Sequence, residues 1–394
     1  METEPEVRFD DTQIAFSYKS DRDLKRANFI FTVVNHPMIS SMATALVKAG
    51  LFLRLPIKGI IRSTVFQHFC GGETIEESEK VIDVLGRFKV GTILDYSVEG
   101  EKTESGFDKT CQEILSTFDE ARKSPHVPFC VFKMTGMADA GLLAKVQARE
   151  ALTQAETESF EKVKVRVDRI CQKAYDFQIP ILIDAEETWI QDPIDSMAHD
   201  MMLKYNQQRA IVFTTYQMYR VDSLPAIKAA YADASANNYF LGVKIVRGAY
   251  MEKERERAMK MNCPDPIHPN KESTDQAFNQ ALEFCLENKS RISLVCGSHN
   301  EFSNQYLTTL IKKHGLSHQD KHIWFSQLLG MSDNISFNLA AKGYNVVKYV
   351  PFGPVGSVMP YLFRRASENT SVAGQSSREL LLIRKELRRR RKVN

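Results

Sequence analysis

The sequence predicts an α/β protein: a (β/α)8 TIM-type barrel with an N-terminal helical arm and a short basic C-terminal helix. Three observations predict it. Eight short apolar, β-branched runs lie between residues 90 and 350, each followed by a polar loop and a longer amphipathic segment, the pattern of buried parallel strands and their crossovers. No GxGxxG follows any run, which argues against the doubly wound open sheet, the other architecture with this rhythm. The 394 residues, 43% hydrophobic and 26% charged, suffice for one such barrel and an extension.

Residues 22–88 carry a helical pattern with breaks at Pro37, Gly50, Pro56 and the Gly71-Gly72 pair. Thr74 and Glu77 have the spacing of a capping box for a helix running to about residue 89. The eight strands are expected at 90–98, 128–134, 180–184, 210–215, 241–246, 292–296, 322–325 and 346–350. Residues 138–177 are long for one crossover and should form an extended or broken helix. These readings divide the chain into an arm (1–88), a catalytic barrel (89–375) and a basic amphipathic tail (376–394).

The net charge of +3 hides an uneven distribution. Residues 378–394 hold eight basic and two acidic side chains, so the other 377 residues carry a net −3. That body lacks the interleaved basic and aromatic stripe of a nucleic-acid binder, and none is expected as a partner. Seven scattered cysteines without a CxxC pair read as reduced, buried thiols. The acidic start, with Glu2, Glu4 and Glu6, resembles neither a signal nor a transit peptide, so the expected location is cytoplasmic, with peripheral contact at the inner membrane as an option. The longest apolar stretch, 49–61, is interrupted by Arg54, Pro56 and Lys58 and is too short to span a bilayer. His314, His318 and His322 are spaced by four, but Gly315 interrupts the helix that would align them, and no metal is expected.

Chemistry gathers where the strands end, which in a barrel is the active-site face. The polar residues there are Lys133; Asp184 with Glu186 and Glu187; Gln217; Lys244 and Arg247; His299 and Asn300; Gln327; and Tyr349. Each alone has a plain structural reading: a surface lysine, a helix cap, a satisfied core histidine. Together on one rim they read as a site. If Pro360 opens the last helix, Tyr361, Arg364, Arg365 and Glu368 share one of its faces, and paired guanidinium groups suit bidentate capture of a small carboxylate.

At this point the residues resemble the proline dehydrogenase family, over roughly residues 60–370. The resemblance runs through Gly72-Glu73-Thr74, Phe132-Lys133, Asp184-Ala185-Glu186-Glu187, Thr215-Tyr216-Gln217, Lys244 to Tyr250, Ser298-His299-Asn300, Tyr349 to Gly353 and Tyr361 to Asn369. It implies FAD across the top of the barrel and oxidation of L-proline to 1-pyrroline-5-carboxylate, by hydride transfer from C5 to flavin N5, with electrons passed to a quinone. It further implies that Arg364, Arg365 and Lys133 hold the substrate carboxylate, that Asp184, Tyr349 and Tyr361 complete the pocket, and that Glu368 orients the arginines. On the flavin side it implies Gln217 and Lys244 near the ring system, Arg247, Gly248, Ala249, Ser298 and His299 along the rest of the cofactor, and Ile183 as a further cofactor-binding residue. Asp184 and Lys244 are then the catalytic pair. Many bacterial members carry arginine where Lys244 stands, so this chain offers a point charge instead of a planar fork.

Two alternatives remain at this level. One is a hydroxyproline dehydrogenase, disfavoured by the bulk of Tyr349; the other is a Schiff-base aldolase using Lys133. In the tail, Leu380, Ile383 and Leu387 share a helical face with a basic cluster beyond, which would suit anionic lipid, the plainer reading being a charged terminus over a docked helix.

Overall fold

The computed structural model describes residues 7–53, 56–98, 101–371 and 375–393. The arm is a chain of short helices: α1 (Thr12–Ala15), α2 (Asp21–Val34), α3 (Pro37–Phe52), α4 (Lys58–Ile61), a π-helical turn (Arg62–Phe66) and α5 (Gln67–Phe69), followed by α6 (Ile75–Arg87). The barrel then runs β1 (Val90–Tyr96), α7 (Glu104–Lys123), β2 (Phe129–Lys133), α8 (Ala140–Gln147), α9 (Gln154–Phe177), β3 (Ile181–Asp184), α10 (Thr188–Tyr205) and β4 (Val212–Gln217). It continues through α11 (Ser223–Ala236), β5 (Leu241–Val246), α12 (Met251–Met261), α13 (Lys271–Glu287), β6 (Ile292–Gly297), α14 (Glu301–Lys313), β7 (Ile323–Leu328), α15 (Asp333–Ala341) and β8 (Val346–Phe352). Helices α16 (Val355–Ser371) and α17 (Gln375–Val393) end the chain. All eight strands are parallel and pair in sequence order, β8 closing on β1.

Local chemistry explains most boundaries. Ser20 and Asp23 form a capping box at α2, as do Thr153 and Glu156 at α9. Thr74 caps α6 by accepting from the Glu77 amide, but the Glu77 carboxylate reaches back to the amide of Glu73, one residue beyond the cap. The long crossover is broken between α8 and α9. Gly50 does not break α3, because one glycine costs a helix only about 1 kcal/mol. Nor does Pro360 open α16; the helix starts five residues earlier and carries the proline within it. The four positions of interest keep their helical spacing regardless. Strands β4 and β7 run further than expected, so Gln217 and Gln327 belong to the strands themselves.

The barrel interior is plugged by Ile93, Val131, Leu182, Phe213, Val295 and Val347. Side chains alternate along a strand, so the residues two positions later face the same way, one layer higher. Those positions hold Asp95, Lys133, Asp184, Thr215, Gly297 and Tyr349. The plug therefore forms the floor of a polar mouth. A larger core fills the space between strands and helices.

A further apolar cluster joins the arm to both final helices, with Phe16, Leu24 and Phe31 against Val358 and Leu362 of α16 and Leu380, Leu382 and Ile383 of α17. This corrects the lipid-docking reading of the tail. Leu380 and Ile383 are buried inside the protein, Leu387 packs against the same cluster, and Arg390 binds Asp21 (2.9 Å) and the carbonyl of Phe16 (2.8 Å). Six of the seven cysteines are buried and Cys263 is exposed. Among the described residues no single helix is long and apolar enough to cross a membrane.

Candidate active site

The centre of the barrel mouth is a buried charge network. Lys244 donates to Asp184 Oδ1 at 2.6 Å, and the Tyr349 hydroxyl donates to Asp184 Oδ2 at 2.8 Å. Lys133 lies 3.4 Å from both Tyr349 Oη and Asp95 Oδ2, and Ser97 donates to the same Asp95 oxygen. Register brings these groups together: Lys133 pairs with Asp184 across β2–β3, and Thr215 with Lys244 across β4–β5. Burial pushes the Asp184 carboxyl towards neutrality, but the charges of Lys244 and Lys133 and the two hydrogen bonds outweigh it, so its pKa is lowered and it stays ionised. The same burial, reinforced by Asp184 and Asp95, raises the Tyr349 phenol well above its ordinary value and keeps it a donor. Asp95 escaped the sequence reading; the signal was an acid inside an otherwise apolar strand.

Beside this network, Gln217 bridges two loops. Its Nε2 donates to the Glu186 carbonyl (2.7 Å) and its Oε1 accepts from the Ala249 amide (3.1 Å). The Glu186 carboxylate is buried against Thr135, accepting from its amide (2.9 Å) and hydroxyl, and burial raises its pKa to about 7. Gly248 has φ of +133°, and a Cβ there would meet the Tyr219 ring at 2.1 Å, so no other residue fits this turn. Arg247 is held by Asp275 (2.8 Å), Ser298 (2.8 Å) and Ser303 (2.9 Å), with its guanidinium 4.5 Å from the centre of the Phe278 ring. His299 Nδ1 meets Ser332 Oγ at 2.9 Å; burial, with the charges of Lys348, Arg365 and Arg247, lowers its pKa to about 3 and keeps the ring neutral.

Helix α16 presents the arginine pair. Tyr361 and Arg365 are buried, Arg364 is half-buried, and the Arg365 guanidinium lies 5.1 Å from the centre of the Tyr361 ring. The side chain of Glu368 lies outside the described residues. The helix start is fixed by the glycine pair: Gly72 bridges to Phe352, and Glu73 accepts from the Val355 amide at 3.2 Å. A Cβ at Gly72 would come within 2.4 Å of Glu77 Cβ.

Not every strand-end residue reaches the mouth. Ile183 is fully buried in the strand–helix core, its side chain on the opposite face of β3 from Asp184. Gln327 also faces outward, donating to the Ser298 carbonyl (3.0 Å) and accepting from Ser336 (2.8 Å). Asn300 caps α14, and Glu187 pairs with Lys253. The structure adds a second buried cluster absent from the sequence reading. Asp333 sits between Lys19 (2.7 Å) and Lys348 (2.9 Å) and accepts from Tyr18 (2.8 Å). Next to it, Glu379 of α17 accepts from the Ser332 amide at 3.0 Å, so the last helix reaches the residue that holds His299 while the arm reaches its neighbour Asp333.

Residues 78–378 match the family described as Proline dehydrogenase. The chain is 34% identical over 384 residues to a mitochondrial proline dehydrogenase 1 of Dictyostelium discoideum, a match covering 86% of this chain and 67% of that one. It is 28% identical over 412 residues to hydroxyproline dehydrogenase of Xenopus laevis, covering 95% and 88%. A crystal structure of proline utilization A (PutA) from Bdellovibrio bacteriovorus superposes with a TM-score of 0.73 over 91% of this chain at 19% identity. This chain spans 38% of that protein's length, and at such identity the likeness concerns the fold. The family match covers well over half of the sequence and carries the whole barrel with its charged mouth: the chain belongs to the proline dehydrogenase family and is an oxidoreductase of that family.

Proposed function

We propose that this protein oxidises L-proline to 1-pyrroline-5-carboxylate with FAD held across the strand tops, and passes the electrons to a quinone. The observation that carries the reading is the Lys244–Asp184–Tyr349–Lys133 network beside a helix bearing two arginines, in a chain of this family. The residues fit an anionic, extended cofactor. The positive-φ turn at Gly248 brings backbone to the rim, β6 ends at Gly297, and Lys244 and Arg247, each paired with an aspartate, stand on this side of the mouth. Gln217, Lys244, Arg247, Gly248, Ala249, Ser298 and His299 would hold FAD, which when bound supplies the hydride acceptor. Because its fork is already engaged by Asp275, Ser298 and Ser303, Arg247 would act largely by fixing Ser298.

On the substrate side, Arg364 and Arg365 would clamp the carboxylate with help from Lys133, and Glu368 would orient them. Tyr349 and Tyr361 would wall the ring, holding C5 in a reactive position. The ring nitrogen must be uncharged when C5 loses its hydride. Three cationic side chains near the substrate disfavour an ammonium, and Asp184, already paired with Lys244 and Tyr349, offsets them only in part. The product imine then hydrolyses in water.

Hydroxyproline oxidation is the second reading, favoured by the 28% identity to the Xenopus laevis enzyme. The buried Tyr349 ring beside the proposed substrate favours proline. Purified holoenzyme given L-proline and a soluble electron acceptor should form an imine trapped by an aromatic amino-aldehyde; absence of the trapped product would refute the proposal.

A further inference from the structure

The loop between β7 and α15 contains a serine whose backbone and side chain both depart from local preference. Ser332 stands at the N-cap of α15 with φ of +50° and ψ of +44°, a left-handed conformation, and its side chain makes no capping bond. A serine at an N-cap ordinarily has an extended backbone and gives its hydroxyl to an amide of the first turn, as Ser20 does at α2. Ser332 forgoes that bond and places Oγ 2.9 Å from His299 Nδ1. Left-handed backbone strains any residue with a Cβ, and two residues earlier the same loop uses glycine for it, with Gly330 at φ of +77°. A loop that needed only the turn would be better served by glycine at both positions. The strain at Ser332 therefore preserves a hydroxyl aimed at His299.

The surroundings over-determine this geometry. Glu379 of α17 accepts from the Ser332 amide at 3.0 Å. Lys348, fully buried on β8, donates to the carbonyls of Leu328 and Met331 and pairs with Asp333 at 2.9 Å. From the arm, His68 bonds the Gly330 carbonyl at 3.0 Å and Lys19 pairs with Asp333 at 2.7 Å. Held in this way, the loop reaches both nitrogens of the His299 ring: Ser332 meets Nδ1, and the Leu328 amide points at Nε2 from 3.5 Å. Lys19, His68 and Glu379 all lie outside residues 78–378, the segment that matches the family.

We infer that Ser332 is a positioning residue for the cofactor site and that Glu379 acts through it, so that the seating of the last helix sets how His299 is held. The inference rests on the proposed placement of FAD against His299, but the coupling of α17 to the ring is readable from the ring itself.

The test follows FAD release from diluted holoenzyme, by the rise in flavin fluorescence, alongside the imidazole nitrogen resonances of histidine-labelled protein. The His299 signals are identified by their loss in His299→Phe. Ser332→Gly keeps the turn without strain and removes only the hydroxyl. It should fold as wild type, move the His299 signals and release FAD about fivefold faster, the effect of one neutral hydrogen bond. His299→Phe should release FAD at least as fast, and adding Ser332→Gly to it should add nothing, because the serine acts through the ring. Glu379→Ala should reproduce the ring shift of Ser332→Gly. Glu379→Gln, whose side-chain carbonyl still accepts from the Ser332 amide, should restore the wild-type signals and release rate. Unmoved His299 signals in Ser332→Gly, additive losses in the double variant, or a Glu379→Gln that behaves like Glu379→Ala would each overturn the inference. Wild type that takes up no FAD would instead refute the proposed function, and ring shifts in Ser332→Gly and Glu379→Ala would still establish the coupling.

Discussion

Asp184 and Tyr349, 165 residues apart in sequence, are joined across the barrel mouth by a hydrogen bond of 2.8 Å from the phenol to Oδ2. The bond ties β3 to β8 above the apolar plug, and Lys244 completes the carboxylate from β5. Three strands thus share one buried charge, and the proposed substrate would meet its ring-facing side chains at this junction.

Tyr349→Phe removes the donor while keeping the ring. A hydrogen bond to a charged group contributes about 1.5–3 kcal/mol, so stability should fall by that order, with selectivity for proline retained. Tyr349→Ser removes the ring as well and should raise kcat/KM for trans-4-hydroxy-L-proline relative to L-proline. Parallel steady-state kinetics check both; a Ser variant with unchanged selectivity would remove Tyr349 from the specificity argument.

Arg365→Lys and Arg364→Lys keep the charge but lose the planar fork. Truncating a buried charged hydrogen-bonding partner costs about 2–5 kcal/mol, so KM for proline should rise roughly thirtyfold or more. A carboxylate clamp acts on bound substrate and transition state alike, so kcat should fall less than KM rises. The reverse pattern would place these arginines in the chemical step.

Lys244→Met leaves Asp184 buried without its cation. Breaking a buried pair in this way costs about 3–5 kcal/mol, visible as a large drop in thermal midpoint before any cofactor is added. In the double variant with Asp184→Asn much of that loss should return, because the uncompensated charge is gone. Equal losses in the single and double variants would show that the two side chains do not depend on each other.

Glu186 makes stability depend on pH with a particular sign. Its folded pKa of about 7 lies above the ordinary value of 4.5, so between these the folded chain holds a proton that the unfolded chain has released. Stability from this site is therefore greatest below pH 4.5 and declines as pH rises through 7, by an amount on the order of a few kcal/mol. Glu186→Gln should flatten that decline in urea unfolding between pH 5 and 8, where the neutral amide mimics the protonated acid. Glu379, also raised to about 7 by burial beside Asp333, adds a decline of the same sign that this variant leaves in place.

The barrel was legible because buried parallel strands are continuous apolar runs, and each of the eight has that form. Lys133, Asp184, Lys244 and Tyr349 were legible as polar residues at or near the ends of apolar runs. Ile183, next to Asp184 in sequence, turns its side chain to the strand–helix core, because alternation sends neighbours to opposite faces. Asp95 lay hidden in a run whose other members are largely apolar. The tail was left with two readings, a lipid-facing helix and a docked one, because periodicity identifies an apolar face without saying what covers it: Leu380 and Ile383 are covered by the arm, whereas Met42 and Leu46, with the same kind of spacing, are exposed. The Asp333 cluster draws on Lys19, Lys348 and Glu379, whose closeness exists only after the two termini have folded onto the barrel.

The most direct test of the central claim is an absorbance spectrum of the purified protein under anaerobic conditions, before and after addition of L-proline, with trans-4-hydroxy-L-proline in a parallel cuvette. The account predicts an oxidised-flavin spectrum that L-proline bleaches and hydroxyproline leaves largely intact. A protein that is colourless and resists reconstitution with FAD, or a flavin bleached by hydroxyproline in preference to proline, would contradict it.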